Sequence, residues 1–266
     1  MEIAVLSKFM FDEPSVWVTV ATVMTLLSTV YLGFAEIIGS HLQYSKFTNS
    51  SAKQAVAAGT KVSSRTGMLM LYTPAFVAGV VSFFVFPGGG VRFFLLKVVV
   101  TFHFFKRDFE VLFVHKYSGN MGLGSTILIS IFYFYVATSL IVVHYMSLGL
   151  PEPPIDLKYV GVIMFTVGII GNFYHHNLLA KLRTDKEKEY KIPRGGLFNL
   201  VICPHYSFEI LIFYGFAFIS QTPLAFACAL GDSCYLIARS YQTRNWYVNK
   251  FEDFPASIKR LIPYVF

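Results

Sequence analysis

Charge is scarce in this chain. Asp, Glu, Lys and Arg make up 14% of its 266 residues, against about 25% in an ordinary soluble domain, while 55% are hydrophobic. That much apolar surface exceeds what a soluble fold of this length buries, which excludes a simple globular domain. Cysteine is rare as well. Cys203, Cys228 and Cys234 are odd in number and two lie in an apolar run, so neither a disulfide framework nor a CxxC metal site follows. The seven histidines lack the HxxxH and HxxHH boxes of a di-iron desaturase, adjacent His175 and His176 do not supply them, and no metal site is expected. No GxGxxG or GxxxxGKS pattern accompanies the PGGG at 87–90, which reads as a tight turn. The N-terminus lacks the basic region and short apolar core of a cleavable signal, and no inverted repeat suggests a transporter.

What the chain does have is long apolar runs. Windows of about 20 apolar residues match a hydrocarbon core of roughly 30 Å, and candidates fall at 15–35, 67–86, 91–105, 123–145, 159–174, 209–220 and 223–238. The expected fold is an all-α membrane protein, a bundle of seven transmembrane helices. Six is the alternative, because the last three windows are short or interrupted. The first window is expected to remain as an uncleaved anchor. Basic residues favour seven: 18 of the 22 Lys and Arg fall in alternate loops and the C-terminus, which assigns those to the cytoplasm and the acidic N-tail (Glu2, Asp12, Glu13) to the other side. The net charge of +7 follows from that topology and from room for an anionic ligand. With no soluble basic domain to present it, it is no argument for nucleic acid.

Polar residues within or beside these runs are candidate sites, each with a bland alternative. Glu36 reads as hydrated at a helix end. Pro74 implies a kink whose freed backbone groups a neighbouring helix must satisfy, and Tyr72 beside it either faces a cavity or packs in the bundle. Arg92 and Lys97 either snorkel or face a wet interior. In HFFKRDFEVLFVHKYS, His103, Arg107 and Glu110 share a helix face, and Lys106 lies four residues before Glu110, the spacing of an ion pair; the cluster is a site or a charged collar. Asp232 sits near mid-span, as chemistry or as structural glue. The tail from Arg239 interleaves Arg, Tyr and Trp, which suits an interfacial helix folded back under the bundle or a lid over an anion. The densest stretch is GNFYHHNLLAKLRTDKEKEYKIPRGGLFNLVICPHYSFE, 171–209, where an apolar span meets a basic loop. Asn172, His176, Leu179 and Arg183 align on one helical face there. An interhelical amide and a headgroup anchor would satisfy the same pattern.

KIPRGGLF with CPHYSFE, and the ending WYVNKFEDFP with IPYVF, resemble the C-terminal domain of the steroid 5α-reductase family. Its members are membrane enzymes that use NADPH to saturate a carbon–carbon double bond conjugated to a carbonyl. HFFKRDFEVLFVHKYS, GNFYHH and CPHYSFE are more similar to its trans-2-enoyl-CoA reductase branch, which acts in very-long-chain fatty acid elongation. The resemblance covers roughly Gly67 to Phe266, so 67–266 is expected to be the catalytic membrane domain and 1–66 an N-terminal span with its loop. It implies NADPH as cofactor, with Asn172 at the nicotinamide and Arg183 at a phosphate. Arg107, His176, Tyr190, Lys191, His205, Glu209, Arg239 and Tyr247 would line the rest. It also implies the endoplasmic reticulum, a lipid substrate and the company of other lipid-pathway membrane enzymes.

Departures bear on substrate. Steroid reductases of this family carry a Gln-Glu pair where this chain has Leu71 and Tyr72, so Tyr206, or else Tyr72, is expected to donate to the substrate carbonyl. Lys106 and Glu110, which match the enoyl branch, would orient that carbonyl or relay a proton. His205 departs from the Asn of that branch, and its ubiquitin-like N-terminal extension is missing. The substrate reading is therefore a 3-oxo-Δ4 steroid first and a very-long-chain enoyl-CoA second, with an isoprenylcysteine-type methyltransferase as a remote third.

Overall fold

The computed structural model describes residues 7–47, 60–182 and 190–266. Seven α-helices form the described part of the chain: α1 (Val16–Ile37), α2 (Ser64–Val85), α3 (Gly90–Phe109), α4 (Leu123–Met146), α5 (Lys158–Lys181), α6 (Pro204–Ser220) and α7 (Pro223–Lys250). Each overlaps one of the apolar windows. Three, α1, α2 and α4, are long and apolar enough to cross a membrane. The molecule is an all-α integral membrane protein.

Local chemistry sets the helix ends. Ser15 and Ser63 cap α1 and α2 through their hydroxyls, which accept from Val18 N (3.3 Å) and Thr66 N (3.2 Å). Pro204 and Pro223 open α6 and α7, where a missing N–H costs nothing. Gly88, Gly89 and Gly90 all take positive φ, which makes the PGGG segment the tight turn between α2 and α3. Pro74 lies inside an unbroken α2. The carbonyl it strands, Met70 O, receives the Ser130 hydroxyl of α4 at 2.7 Å, so a neighbouring helix satisfies the kink as expected.

Small residues set which helices touch. A Cβ on Gly161, Gly168 or Gly215 would come within 3 Å of backbone or side-chain atoms across the α5–α6 seam, so those two helices pack backbone to backbone. Gly33 lets α1 approach the α7 backbone, where a Cβ would lie 3.1 Å from Cys234 O, and Gly231 is pressed against the Thr29 side chain. Two short strands, β1 (Lys61–Ser63) and β2 (Asn120–Gly122), pair antiparallel beside the start of α2.

Three expectations change. Glu36 is not hydrated: it is 1% exposed and takes Arg239 at 2.6 Å, because α1 packs along α7 and brings the two into one dry seam. Arg92 and Lys97 are buried and held by protein groups. Arg92 holds Gln221 Oε1 (2.6 Å), Glu152 (2.9 Å) and Asp156 (2.8 Å), while Lys97 donates to Phe86 O (2.8 Å). Asp156, which also accepts from Lys158, stays below the usual carboxylate range despite partial burial. The tail forms no separate interfacial helix. α7 runs on to Lys250, and the segment behind it folds onto residues 200–207 through Ile202 N to Lys259 O (2.9 Å) and Ser207 Oγ to Leu261 O (2.8 Å).

Candidate active site

The site begins where α3 ends. Lys106 and Arg107 occupy its last turn, and the helix then widens into a π turn over Glu110–Val114, a distortion that recurs at functional sites. Glu110, fully buried, receives both cations: Lys106 Nζ at 2.8 Å and Arg107 at 2.9 Å. The Gly-lined α5–α6 seam supplies the other wall. Asn172 of α5 donates through Nδ2 to Glu209 Oε2 (2.8 Å) and His205 O (2.9 Å) of α6, and its Oδ1 accepts from Lys106. His176, one turn on, places Nδ1 2.9 Å from Glu110 and 3.0 Å from Arg107. The other Arg107 nitrogen donates to the Tyr72 hydroxyl of α2 at 2.5 Å. Four helices thus join in one polar network of two cations, two carboxylates, an amide, an imidazole and a phenol. Buried charges need such mutual satisfaction.

This network is one wall of a cavity of about 780 Å³. Along α7 the lining runs from Tyr247 to Asp232, about 15 residues and so about 22 Å of helix axis. One end carries Lys46, Tyr190, Lys191 and Tyr247; the other carries Tyr72, Arg107, Tyr133, Glu209 and Asp232. Lys46 lies over the Tyr247 ring at 4.4 Å, and Tyr190 meets Trp246 edge to face at 4.9 Å, so the basic end is also aromatic. The tail helps build it, because Tyr247 packs in a cluster with Ile202, Ile258 and Leu261. Cys203 lies in that cluster, and burial pushes its thiol up to about 12.

Of the residues singled out in sequence, Tyr72, Arg107, His176, Tyr190, Lys191, His205, Tyr206, Glu209 and Tyr247 line this one cavity, and Lys106, Glu110 and Asn172 stand directly behind it in the network. Arg239 does not line it. Its guanidinium is committed to Glu36 and stacks over Phe47 at 4.0 Å. Arg183 lies outside the described residues. Tyr206 rests against His205 with ring centroids 4.4 Å apart, and the phenol that Arg107 holds is that of Tyr72. Sequence reading missed Tyr133 and gave Asp232 no role at the cavity. A single phenol in an aromatic span carries no periodic signal, and Asp232 becomes informative only once its neighbours are known.

Glu110, His115 and His176 bring possible metal-ligand atoms within 4.8 Å of one another. Lys106 and Arg107 already hold the Glu110 carboxylate, however, and would repel a divalent ion there. An anionic ligand suits this set far better, since Arg and Lys forks match phosphate and the aromatic rings accept a flat heterocycle.

Residues 123–266 match the family model for 3-oxo-5-alpha-steroid 4-dehydrogenase. The chain is 28% identical to 3-oxo-5-alpha-steroid 4-dehydrogenase 2 of Sus scrofa over 91% of its own length and 94% of that relative's. It is 30% identical to steroid 5-alpha-reductase DET2 of Gossypium hirsutum over 70% of its length and 76% of that relative's. It is also 32% identical to the very-long-chain enoyl-CoA reductase of Dictyostelium discoideum, over 63% of its length; that match spans only 56% of the relative. With a family model matching more than half of its residues and a reductase relative matched over most of both lengths, the chain belongs to the 3-oxo-5-alpha-steroid 4-dehydrogenase family of oxidoreductases.

Proposed function

We propose that this protein is an NADPH-dependent reductase of a carbon–carbon double bond conjugated to a carbonyl in a membrane lipid, with a 3-oxo-Δ4 steroid as its substrate. The observation that carries the reading is the two-ended cavity: a basic, aromatic end fit for a phosphorylated dinucleotide and a far end where Arg107 holds Tyr72 beside Glu209. The dinucleotide would supply hydride when bound. Asn172 would hold its nicotinamide end, with Tyr190, Lys191 and Tyr247 toward the phosphates and adenine. In this reading all seven helices cross the endoplasmic reticulum membrane and the basic end opens to the cytosol. Leu128 and Ile131 line the cavity and are 47% and 61% exposed on α4, which supports entry of a lipid from the side.

Reducing an enone builds negative charge on its carbonyl oxygen, and a fixed donor aimed there lowers the barrier. Two phenols compete for that role. The arrangement favours Tyr72: its oxygen already accepts from Arg107, so its own proton is left to point at the substrate, and the adjacent guanidinium stabilises the charge that develops. Lys106 and Glu110 do not line the cavity, so in this reading they position Arg107 and Asn172. Their ion pair, with the likeness to the Dictyostelium discoideum enzyme, supports a second reading in which the substrate is a very-long-chain enoyl-CoA. Protein purified into lipid nanodiscs, given NADPH and each substrate in turn, decides between them. Consumption of NADPH with the steroid and a product heavier by two hydrogens is the expected result; turnover with enoyl-CoA alone selects the second reading, and turnover with neither rejects both.

A further inference from the structure

The reductase reading uses Tyr72, Arg107 and the basic end of the cavity, but it leaves Asp232 without a task. Asp232 is on α7, lines the same cavity and is only 7% exposed. Its Oδ2 is shut from water and has no hydrogen-bond partner among the described residues. The donors that flank it on α7 and across on α1 are already committed. Tyr235, nearly one turn along α7, shares its hydroxyl with Tyr44 at 3.2 Å. Thr29, against which Gly231 is pressed, donates to Thr25 O at 2.7 Å, and Ser233 donates to Ala229 O at 2.7 Å. The nearest carboxylate on the same cavity wall, Glu209, is held by Asn172.

A buried carboxyl with no partner is costly, and a fold that needed only packing at this point would place an apolar residue such as Leu there. Its surroundings restrict what can complete it. Leu32, Leu71, Ile131 and Phe132 line the same cavity, so an occupant there meets a largely apolar wall. No cationic side chain pairs with Asp232 among the described residues, so the carboxyl serves no internal ion pair. The torsion that turns an Asp carboxyl is broad and two-fold, so either oxygen can face the cavity. A hydroxyl can donate to such a carboxyl or accept from its acid form, so it suits the group in either protonation state.

Resting on the reductase reading, we infer that Asp232 is a specificity-determining subsite that binds a hydroxyl group on an otherwise apolar lipid substrate, at a point remote from the double bond being reduced. The chain would then select hydroxylated enones over their deoxy counterparts.

The test compares two 3-oxo-Δ4 steroids that differ only in a 17β-hydroxyl, 17β-hydroxyandrost-4-en-3-one and androst-4-en-3-one. Each is measured against wild type, Asp232→Leu and Asp232→Asn by kcat/KM and, independently of turnover, by quenching of intrinsic fluorescence on binding. Wild type should prefer the hydroxylated steroid by roughly tenfold or more, with the difference in KM and not in kcat. Asp232→Leu should abolish that preference, and Asp232→Asn, which keeps a hydrogen-bonding group of the same size, should retain much of it. Thermal melting separates this role from a structural one. Asp232→Leu should melt at or above the wild-type temperature, since it removes a buried polar group that has no partner. Equal binding of the two steroids by wild type, or an equal loss of both in Asp232→Leu with a lowered melting temperature, would overturn the inference. The reductase reading fails by a different result, the absence of turnover with every enone tried.

Discussion

At the scale of single residues, the Arg107–Tyr72 contact is the feature on which the chemistry turns. Tyr72→Phe removes the donor and leaves the ring, so kcat should fall about 10²- to 10³-fold with little change in cofactor affinity. Tyr206→Phe should leave kcat within a few-fold of wild type, because Arg107 holds the Tyr72 hydroxyl while the Tyr206 ring rests on His205. Steady-state kinetics on both variants checks this, and the reverse order would move the donor to Tyr206. Cys203 offers a pH test outside the helices. Burial raises its thiol from 9.0 to about 12. Between those values the unfolded chain gives up a proton that the folded chain keeps, so this group's contribution to stability falls as pH rises above about 9 and is constant below it. Cys203 should accordingly resist alkylation at pH 8 in the folded protein, and Cys203→Ser should flatten the alkaline limb of a melting-temperature profile.

At the scale of elements, two devices hold the site in place. Glycines draw α5 and α6 together, which fixes Asn172 on Glu209, and the Ser130 hydroxyl answers the carbonyl that Pro74 strands in α2, the helix that carries Tyr72. Gly168→Leu would wedge the first pair apart, because even a Cβ would lie 2.7 Å from Ile212. It should abolish NADPH-dependent activity and lower the melting temperature by far more than Ser130→Ala, which removes one hydrogen bond worth about 1 kcal/mol.

The helices themselves were legible in the sequence because each lies over an apolar window, although only α1, α2 and α4 are long and apolar enough to cross a membrane. Their ends were not. α5 and α7 continue past the apolar runs to Lys181 and Lys250, and polar residues of the extensions, His175 and His176 in α5 and Arg239, Ser240 and Thr243 in α7, are buried against other parts of the protein. Glu36 was misread because its partner, Arg239, lies on the last helix and nothing local announces it. The site was half legible. Lys106 and Glu110 share a helix and their spacing shows it, whereas the links from Asn172 to Glu209 and from Arg107 to Tyr72 span different helices and emerge only from the bundle.

At the scale of the whole molecule, one cavity links a basic, aromatic end to a far end bounded by phenols and carboxyls, and all seven helices contribute to its wall. The C-terminal segment belongs to that design, since Ile258 and Leu261 pack with Tyr247. Deleting 257–266 should therefore weaken NADPH binding more than it weakens steroid binding, as titration of each ligand against the truncated protein would show. The most direct test of the central claim follows the hydride itself. Wild-type protein is incubated with a 3-oxo-Δ4 steroid and NADPH deuterated at its transferable position, and the product is read by mass spectrometry. Deuterium on the carbon β to the carbonyl is the predicted result. Unlabelled steroid recovered unchanged, with the NADPH still reduced, would contradict it.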